Sequence, residues 1–268
     1  MSDIPRSHGR KSIRATQTPG DLLSETPTLA RAFAAQVITL FPDAFPGILG
    51  QSLTGKALAS GIWQLQSINL RDFGIGKHKN VDDTPAGGGA GMVIRPDVME
   101  AAIEHARAMM PAQAPLIYLS PRGRPFDQPM AQDLARRPGA TLICGRFEGL
   151  DQRVIDHYGI TEISMGDFVL TGGELPAMAL LDATIRLMPG VLGNAVSMIE
   201  ESFCDDLLEH PQYTRPAEWQ GRTIPDVLMS GHHGKVADWR RNQAETLTRE
   251  RRPDLWARRK DQDPGSST

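Results

Sequence analysis

The sequence predicts an α/β fold on a mostly parallel sheet, with a small helical domain at its C-terminal end. Three observations lead there. Short apolar, β-prone runs alternate with helix-patterned segments between residues 36 and 193, at the spacing of βαβ units. Three glycine-bearing loops begin near the ends of such runs, where open parallel sheets bind ligands. From Asp226 onward the pattern is helical.

Taken in order, residues 1–35 are polar and lack sustained periodicity, which predicts a disordered extension carrying Arg6, Arg10, Lys11 and Arg14. Gln36 to Phe41 reads as the first strand, followed by short helices over Asp43 to Gly50 and Thr54 to Ser60. Ile62 to Leu70 has the alternation of a second strand. A long loop, Arg71 to Met92, holds Lys77, His78, Lys79 and the run Gly87-Gly88-Gly89-Ala90-Gly91. No Gly-Lys-Ser/Thr follows, so it is not a P-loop, and its glycine spacing is not a dinucleotide fingerprint. Its basic residues suit RNA phosphates or a solvated loop. Helices are expected over Pro96 to Met110, Gln128 to Arg137 and Gly149 to His157, with strands over Pro115 to Ser120 and Ala140 to Cys144.

The stretch Ser164 to Met178 organises the rest. Its first half is a glycine-hinged loop and its second half opens a helix that Pro189-Gly190 stops after Met188. Thr171 or Gly172 suits the cap, Glu174 the positive helix end, and Pro176 the first turn. Leu175, Met178, Leu180, Leu181, Ile185 and Leu187 point in nearly every direction, so the helix is expected to pack on its own core and on a second subunit. Residues 194–203 then read as a flexible linker and 204–260 as the helical domain, with Trp239, Leu247, Leu255 and Trp256 as its core. From Lys235 to Lys260 nine Lys or Arg stand against four Asp or Glu, a net +5 that suits an RNA surface or a solvated helix face. Residues 261–268 read as a loose tail.

The overall charge of −3 requires any nucleic-acid surface to be local. Two distant cysteines, Cys144 and Cys204, exclude a disulfide framework and suit a reducing compartment; the expected location is cytoplasmic. No apolar run is long enough to span a membrane, and the N-terminus lacks the apolar core of a secretory signal. Adjacent His232 and His233 are poor co-ligands on a helix and no second pair completes a metal site.

Three strings stand out: Tyr118-Leu119-Ser120-Pro121-Arg122-Gly123, Cys144-Gly145-Arg146-Phe147-Glu148-Gly149-Leu150-Asp151, and Ser164-Met165-Gly166-Asp167-Phe168-Val169-Leu170-Thr171-Gly172-Gly173-Glu174-Leu175-Pro176. With Thr39-Leu40-Phe41-Pro42, Val81-Asp82-Asp83-Thr84-Pro85, Pro211-Gln212-Tyr213-Thr214-Arg215-Pro216 and Val227-Leu228-Met229-Ser230-Gly231-His232-His233, they make residues 36 to 256 resemble the bacterial tRNA (guanine-N1)-methyltransferases. These are S-adenosylmethionine enzymes of the knotted SPOUT class. The resemblance implies a deep trefoil knot formed by the same three loops, and a homodimer with shared active sites. It further implies the tRNA anticodon stem-loop as partner, modification at position 37, and a magnesium requirement whose site no residue pattern locates.

By the same resemblance the methyl-donor pocket takes Tyr118, Leu119, Ser120, Pro121 and Gly123 from the first loop. The second loop gives Gly145, Phe147, Glu148 and Gly149, with Phe147 standing where the family usually has tyrosine. The third gives Met165, Gly166, Asp167, Phe168, Val169 and Leu170, then Gly172, Gly173 and Pro176. Guanine N1 carries a proton and needs a general base, and charge developing on O6 needs a fixed cation. The resemblance assigns these roles to Glu201 and Arg186, with glutamate in place of the family's aspartate and Glu200 the alternative register. Two further readings stay open: methylation of another RNA atom such as a ribose 2′-hydroxyl, and a non-catalytic RNA-binding relative.

Overall fold

The computed structural model describes residues 32–111, 114–192 and 201–262. The expected extension over residues 1–31, Glu200 with the linker over 194–200, and the tail over 263–268 lie outside the described residues.

A five-stranded sheet carries the fold: β1 (Phe33–Thr39), β2 (Trp63–Asn69), β5 (Leu116–Pro125), β6 (Gly139–Cys144) and β7 (Thr161–Ser164). Their order is β2-β1-β6-β5-β7 and every neighbouring pair is parallel. Alternate residues of the central strands feed opposite faces. Val37 and Leu142 join Trp63, Leu180 and Leu181 in one core, while Ile38 and Ile143 join Ile94, Met99 and Ile103 in the other. Helices α1 (Ser52–Ala59), α3 (Gln128–Ala135) and α5 (Glu174–Ile185) cover the first face; α2 (Pro96–Ala108) and α4 (Gln152–Tyr158) cover the second. Burial on both faces explains why the central strands β1 and β6 are near-continuous apolar runs, unlike the edge strands β2 and β7.

Several expected boundaries move. β1 starts at Phe33, so residues 33–35 belong to the sheet and not to an extension; Ala34 and Ala35 are buried between β2 and β6. Residues 42–50 form two 3-10 turns, Pro42–Ala44 and Gly47–Gly50, in place of one helix, because Pro46 and Gly47 interrupt it. The long loop after β2 has structure: Ile75 and Asn80 pair backbone to backbone, and β3 (Asp82–Asp83) pairs with β4 (Val93–Ile94). β7 went unread because four residues, Thr-Glu-Ile-Ser, are too short for an alternation signal.

β5 does not stop at Ser120. Leu119 and Arg124 both pair with Ile163 of β7, so residues 120–123 loop out and the strand resumes. α4 begins at Gln152, since the Asp151 side chain caps it by accepting from the Arg153 N–H. α5 spans 174–185, shorter than expected at its C-terminal end, and its N-cap is Gly173 with no side-chain cap.

The C-terminal part holds a small hairpin, β8 (Glu218–Trp219) with β9 (Arg222–Thr223), and the helices α6 (Asp226–Met229), α7 (His233–Arg251) and α8 (Pro253–Gln262). The helix therefore continues into residues 261–262, expected as tail. Leu255 is buried there; Trp239, Leu247 and Trp256 are half-buried. Among the described residues no helix is long and apolar enough to cross a membrane.

Candidate active site

The three loops converge on one cavity of about 280 Å³, at the bulge of β5 and beyond the carboxyl ends of β6 and β7. Of the residues expected in the donor pocket, all line it except Gly123, Gly166 and Asp167. Gly123 instead seats on β7: a Cβ there would overlap the backbone of Ile163. That close approach lets the looped-out residues 120–123 rejoin the strand. Gly166, at φ 140°, lies under the Phe168 ring, and Asp167 is exposed.

The second loop wraps the buried Tyr118 ring. A Cβ on Gly145 or Gly149 would sit 2.8 or 2.7 Å from the Tyr118 hydroxyl oxygen. Burial pushes the Tyr118 pKa up, so the hydroxyl stays protonated. Phe147 has φ 58°, a left-handed backbone rare for a bulky residue. The Glu148 N–H donates to the Met92 carbonyl at 2.9 Å and the Gly149 N–H to the Arg146 carbonyl at 3.1 Å, which hold the turn. The Phe147 ring stands half-exposed at the cavity wall.

The third loop is fastened at both ends. Ser164 Oγ donates to the Gly166 carbonyl at 3.1 Å, and the Gly173 N–H donates to the Gly145 carbonyl at 3.0 Å. Between them Phe168 and Val169 are exposed, at 56% and 82%.

Sequence reasoning missed a network behind this wall. Glu174 looks like a surface acid at a positive helix end, yet it is 5% exposed. It accepts from the Thr39 hydroxyl at 2.7 Å and from Arg146 at 2.8 and 3.1 Å. Arg146 also donates to the Thr171 carbonyl at 3.1 Å and stacks on Phe41. A Cβ on Gly172 would overlap its guanidinium. One arginine thus ties the third loop to α5 and β1. The only signal for it was the presence of Thr39, Phe41, Arg146 and Glu174 in separate motif strings. Cys144 is buried beside this network; burial, and then Glu174, push its pKa well up, so it is an inert thiol.

Arg186 and Glu201 meet. The guanidinium donates to both carboxylate oxygens, at 2.7 and 2.6 Å. Those hydrogen bonds hold the Glu201 pKa below the usual carboxylate range and raise that of Arg186. This pair is not beside the cavity of its own chain. Gly172, Gly173 and Pro176 line the cavity at the N-terminal end of α5, whereas Arg186 caps its C-terminal end. At ~1.5 Å per residue these ends are about 20 Å apart. Leu175 (65% exposed), Ala179, Asp182 and Arg186 follow one another at helical spacing along the same outward stripe. α5 is therefore buried on one side in the single chain, with the other open.

Among the described residues no group of three or more His, Cys, Asp or Glu is placed to hold a metal ion.

The family model described as tRNA (Guanine-1)-methyltransferase TrmD matches residues 33–258. The chain is 68% identical over 235 residues to a tRNA (guanine-N(1)-)-methyltransferase of Ruegeria sp. strain TM1040, covering 88% of this chain and 96% of that one. It is 67% identical to the protein of the same name from Ruegeria pomeroyi, covering 88% and 97%. A third of that name, from Jannaschia sp. strain CCS1, is 64% identical over 88% and 97% of the two chains.

Proposed function

The chain belongs to the tRNA (guanine-1)-methyltransferase family, and from that premise we propose that it transfers a methyl group from S-adenosylmethionine to N1 of guanine 37 in tRNA, beside the anticodon. The observation that carries this reading is a carboxylate and an arginine held together, Glu201 and Arg186, in a chain that also folds three glycine loops around one cavity. Guanine N1 needs both a proton acceptor and a cation for O6. A ribose hydroxyl would call for no such matched pair.

The cavity suits the donor. Its walls combine backbone, aliphatic and aromatic groups with the charged Arg122, Arg146 and Glu148; Leu119, Pro121 and Leu170 suit an adenine face and loop amides and carbonyls its edge. Bound there, S-adenosylmethionine supplies an electrophilic methyl on a sulfonium. The glycines deny side chains the space that the ligand takes. Glu201 accepts the N1 proton. Arg186 turns a donor to O6, where negative charge gathers as that proton leaves. As the guanidinium shifts toward O6, Glu201 loses the hydrogen bonds that depress its pKa and becomes a stronger base. Within this reading the three loops form the trefoil knot that the family implies. With tRNA as substrate, the enzyme acts in the cytoplasm.

The roughly 20 Å between the two halves of the chemistry argues for a homodimer with shared sites. Pairing through the open face of α5 about a two-fold axis can set the helices antiparallel. The Arg186 end of one chain then lies by the cavity end of its partner. Ile48 (70% exposed) lies on a turn that packs against α5, so further apolar surface is open beside that helix.

The direct test is methyl transfer to tRNA transcripts bearing guanine or adenine at position 37, followed by nucleoside analysis. The expected product is 1-methylguanosine from the guanine transcript alone; 2′-O-methylation would mark the other chemistry. For shared sites, Gly172→Trp and Glu201→Ala chains are refolded together. Half the dimers are then mixed, each with one intact site, so about a quarter of wild-type activity should return. Purified mixed dimers that are folded and dead would place pocket and base in one chain.

A further inference from the structure

Two cavities in the C-terminal part have no role in the chemistry above. One, of about 400 Å³, opens on Glu201 and is walled by His210, His233, Arg240 and Arg241 together with the acids Asp205 and Glu209. The other, of about 900 Å³, is lined by Tyr213, Arg215, Gln212, Thr214, Leu228 and Met229. His210, Val236 and Arg240 line both, so the two adjoin as the compartments of a trough whose smaller end opens on the base. The segment carrying Glu201 is tied to that trough. Ser202 Oγ accepts from the Glu209 N–H at 3.0 Å, and Thr248 Oγ1 on α7 accepts from the Leu208 N–H at 2.8 Å.

The larger compartment has the chemistry of a single-stranded nucleotide site. The Tyr213 ring is 47% exposed and is held edge-on by Trp239, with centroids 6.0 Å apart. Trp239 also braces His210. Among the described residues Arg215 and Arg240 are the charged groups of its lining, and the carboxylate of the neighbouring Glu209 is engaged by Gln212 Nε2. His210 Nδ1 lies 3.1 Å from the Pro211 carbonyl. A carbonyl only accepts, so in the neutral ring Nδ1 donates and Nε2 is left as an acceptor. Among the described residues that buried Nε2 has no partner. An exocyclic amine or a ribose hydroxyl would satisfy it. Sequence-tolerant recognition of unpaired bases relies on such a combination of aromatic face, arginine and edge acceptor.

We propose that this trough holds the nucleotide next to the target guanine: its base on the Tyr213 ring, its phosphate toward Arg215 and Arg240, its polar edge at His210. The inference rests on guanine 37 being delivered to Glu201. The C-terminal part then positions the target by gripping its neighbour, so that one unstacked nucleotide anchors the next.

The test is a cycle of dissociation constants with full-length protein and whole tRNA transcripts. Each transcript is intact or lacks the base at position 36 or at 38. Tyr213→Ala should weaken binding of intact transcript about 5- to 100-fold, the usual cost of one lost base stack. Tyr213→Phe should stay within about 2-fold, since the ring is the working part. One of the two abasic transcripts should bind wild type as weakly as Tyr213→Ala binds intact RNA, with no further loss when both changes are combined. Arg215→Ala should lower the salt slope of log Kd by about one. Losses that multiply for both abasic transcripts, or a folded Tyr213→Ala that binds like wild type, would overturn the proposal. The cycle reads binding, so it stands apart from turnover. Failure of wild type to make 1-methylguanosine on intact tRNA sinks the functional reading, whereas an uncoupled cycle sinks only the trough.

Discussion

On the function proposed above, the donor end and the RNA end of this chain work by opposite means. At the cavity the decisive residues are glycines, and what matters is a missing side chain. Gly123 touches β7 backbone, Gly145 and Gly149 touch the Tyr118 ring, and Gly172 touches Arg146. In the C-terminal part the glycines Gly221, Gly231 and Gly234 have nothing within reach of a Cβ, and exposed side chains such as Tyr213 and Trp219 carry the surface. Backbone precision suits a small ligand met by few side chains; exposed cations and rings suit a long, charged polymer. A change at the first end should therefore be all or none, and at the second graded.

The sharpest way to break that contrast is Gly123→Val. No rotamer avoids the Ile163 backbone, so residues 120–123 cannot rejoin β5 as they do now. We expect no measurable S-adenosylmethionine binding by calorimetry, while Tyr213→Ala binds the donor like wild type. Donor affinity within about 3-fold of wild type for a folded Gly123→Val would show that backbone fit is not what the first loop supplies.

This contrast also explains what the sequence made legible. Three strings of unusual glycine and aromatic content predicted loops that do share one cavity, because close backbone approach leaves a mark at fixed positions. The parallel sheet was readable because β1 and β6 are apolar on both faces. The pairing of β5 with β7 on both sides of a bulge was not, since it depends on one glycine meeting a distant strand. Nor was Glu174: burial of a carboxylate depends on Thr39 and Arg146, which are 135 and 28 residues away in the chain. The hairpin at 218–223 escaped because two-residue strands carry no period.

Next in size comes the pair that joins the two ends. Arg186→Ala should lower single-turnover methyl transfer about 10²–10³-fold, as for other lost oxyanion donors, with donor binding intact. Glu201→Gln should be comparably slow and Glu201→Asp active, because aspartate keeps the proton chemistry. The pH dependence has a definite sign. Arg186 holds the Glu201 pKa below its ordinary 4.5. The stability this contributes is therefore present above pH 4.5 and lost as pH falls through the lowered value. The stability gap between wild type and Arg186→Ala, read by urea denaturation, should be widest near neutrality and close in acid. A gap that widens toward low pH would mean the pair is not the ionised one drawn here.

The smallest effect should come from the N-terminus, and it places the boundary of the first region. The family match begins at residue 33, the residue that opens β1. Ala32 is 8% exposed and Phe33 6%, so the packed domain starts there. Removing residues 1–31 leaves every β1 pairing in place, from Phe33 with Trp63 to Thr39 with Asn69. Removing 1–35 takes Phe33, Ala34 and Ala35 out of a central strand paired on both sides. Phe33 and Ala35 also leave the core around Trp63. Loss of a buried phenylalanine alone costs about 3–5 kcal/mol, a large share of a domain's stability. Two truncations four residues apart should therefore differ sharply. The shorter should keep kcat and the KM for tRNA within about 2-fold of the full chain. The longer should lose cooperative thermal unfolding. If the shorter truncation is folded but its KM for tRNA rises tenfold, Arg6, Arg10, Lys11 and Arg14 belong to the RNA surface. The graded region would then have a second part, at the opposite end of the chain from α7 and α8.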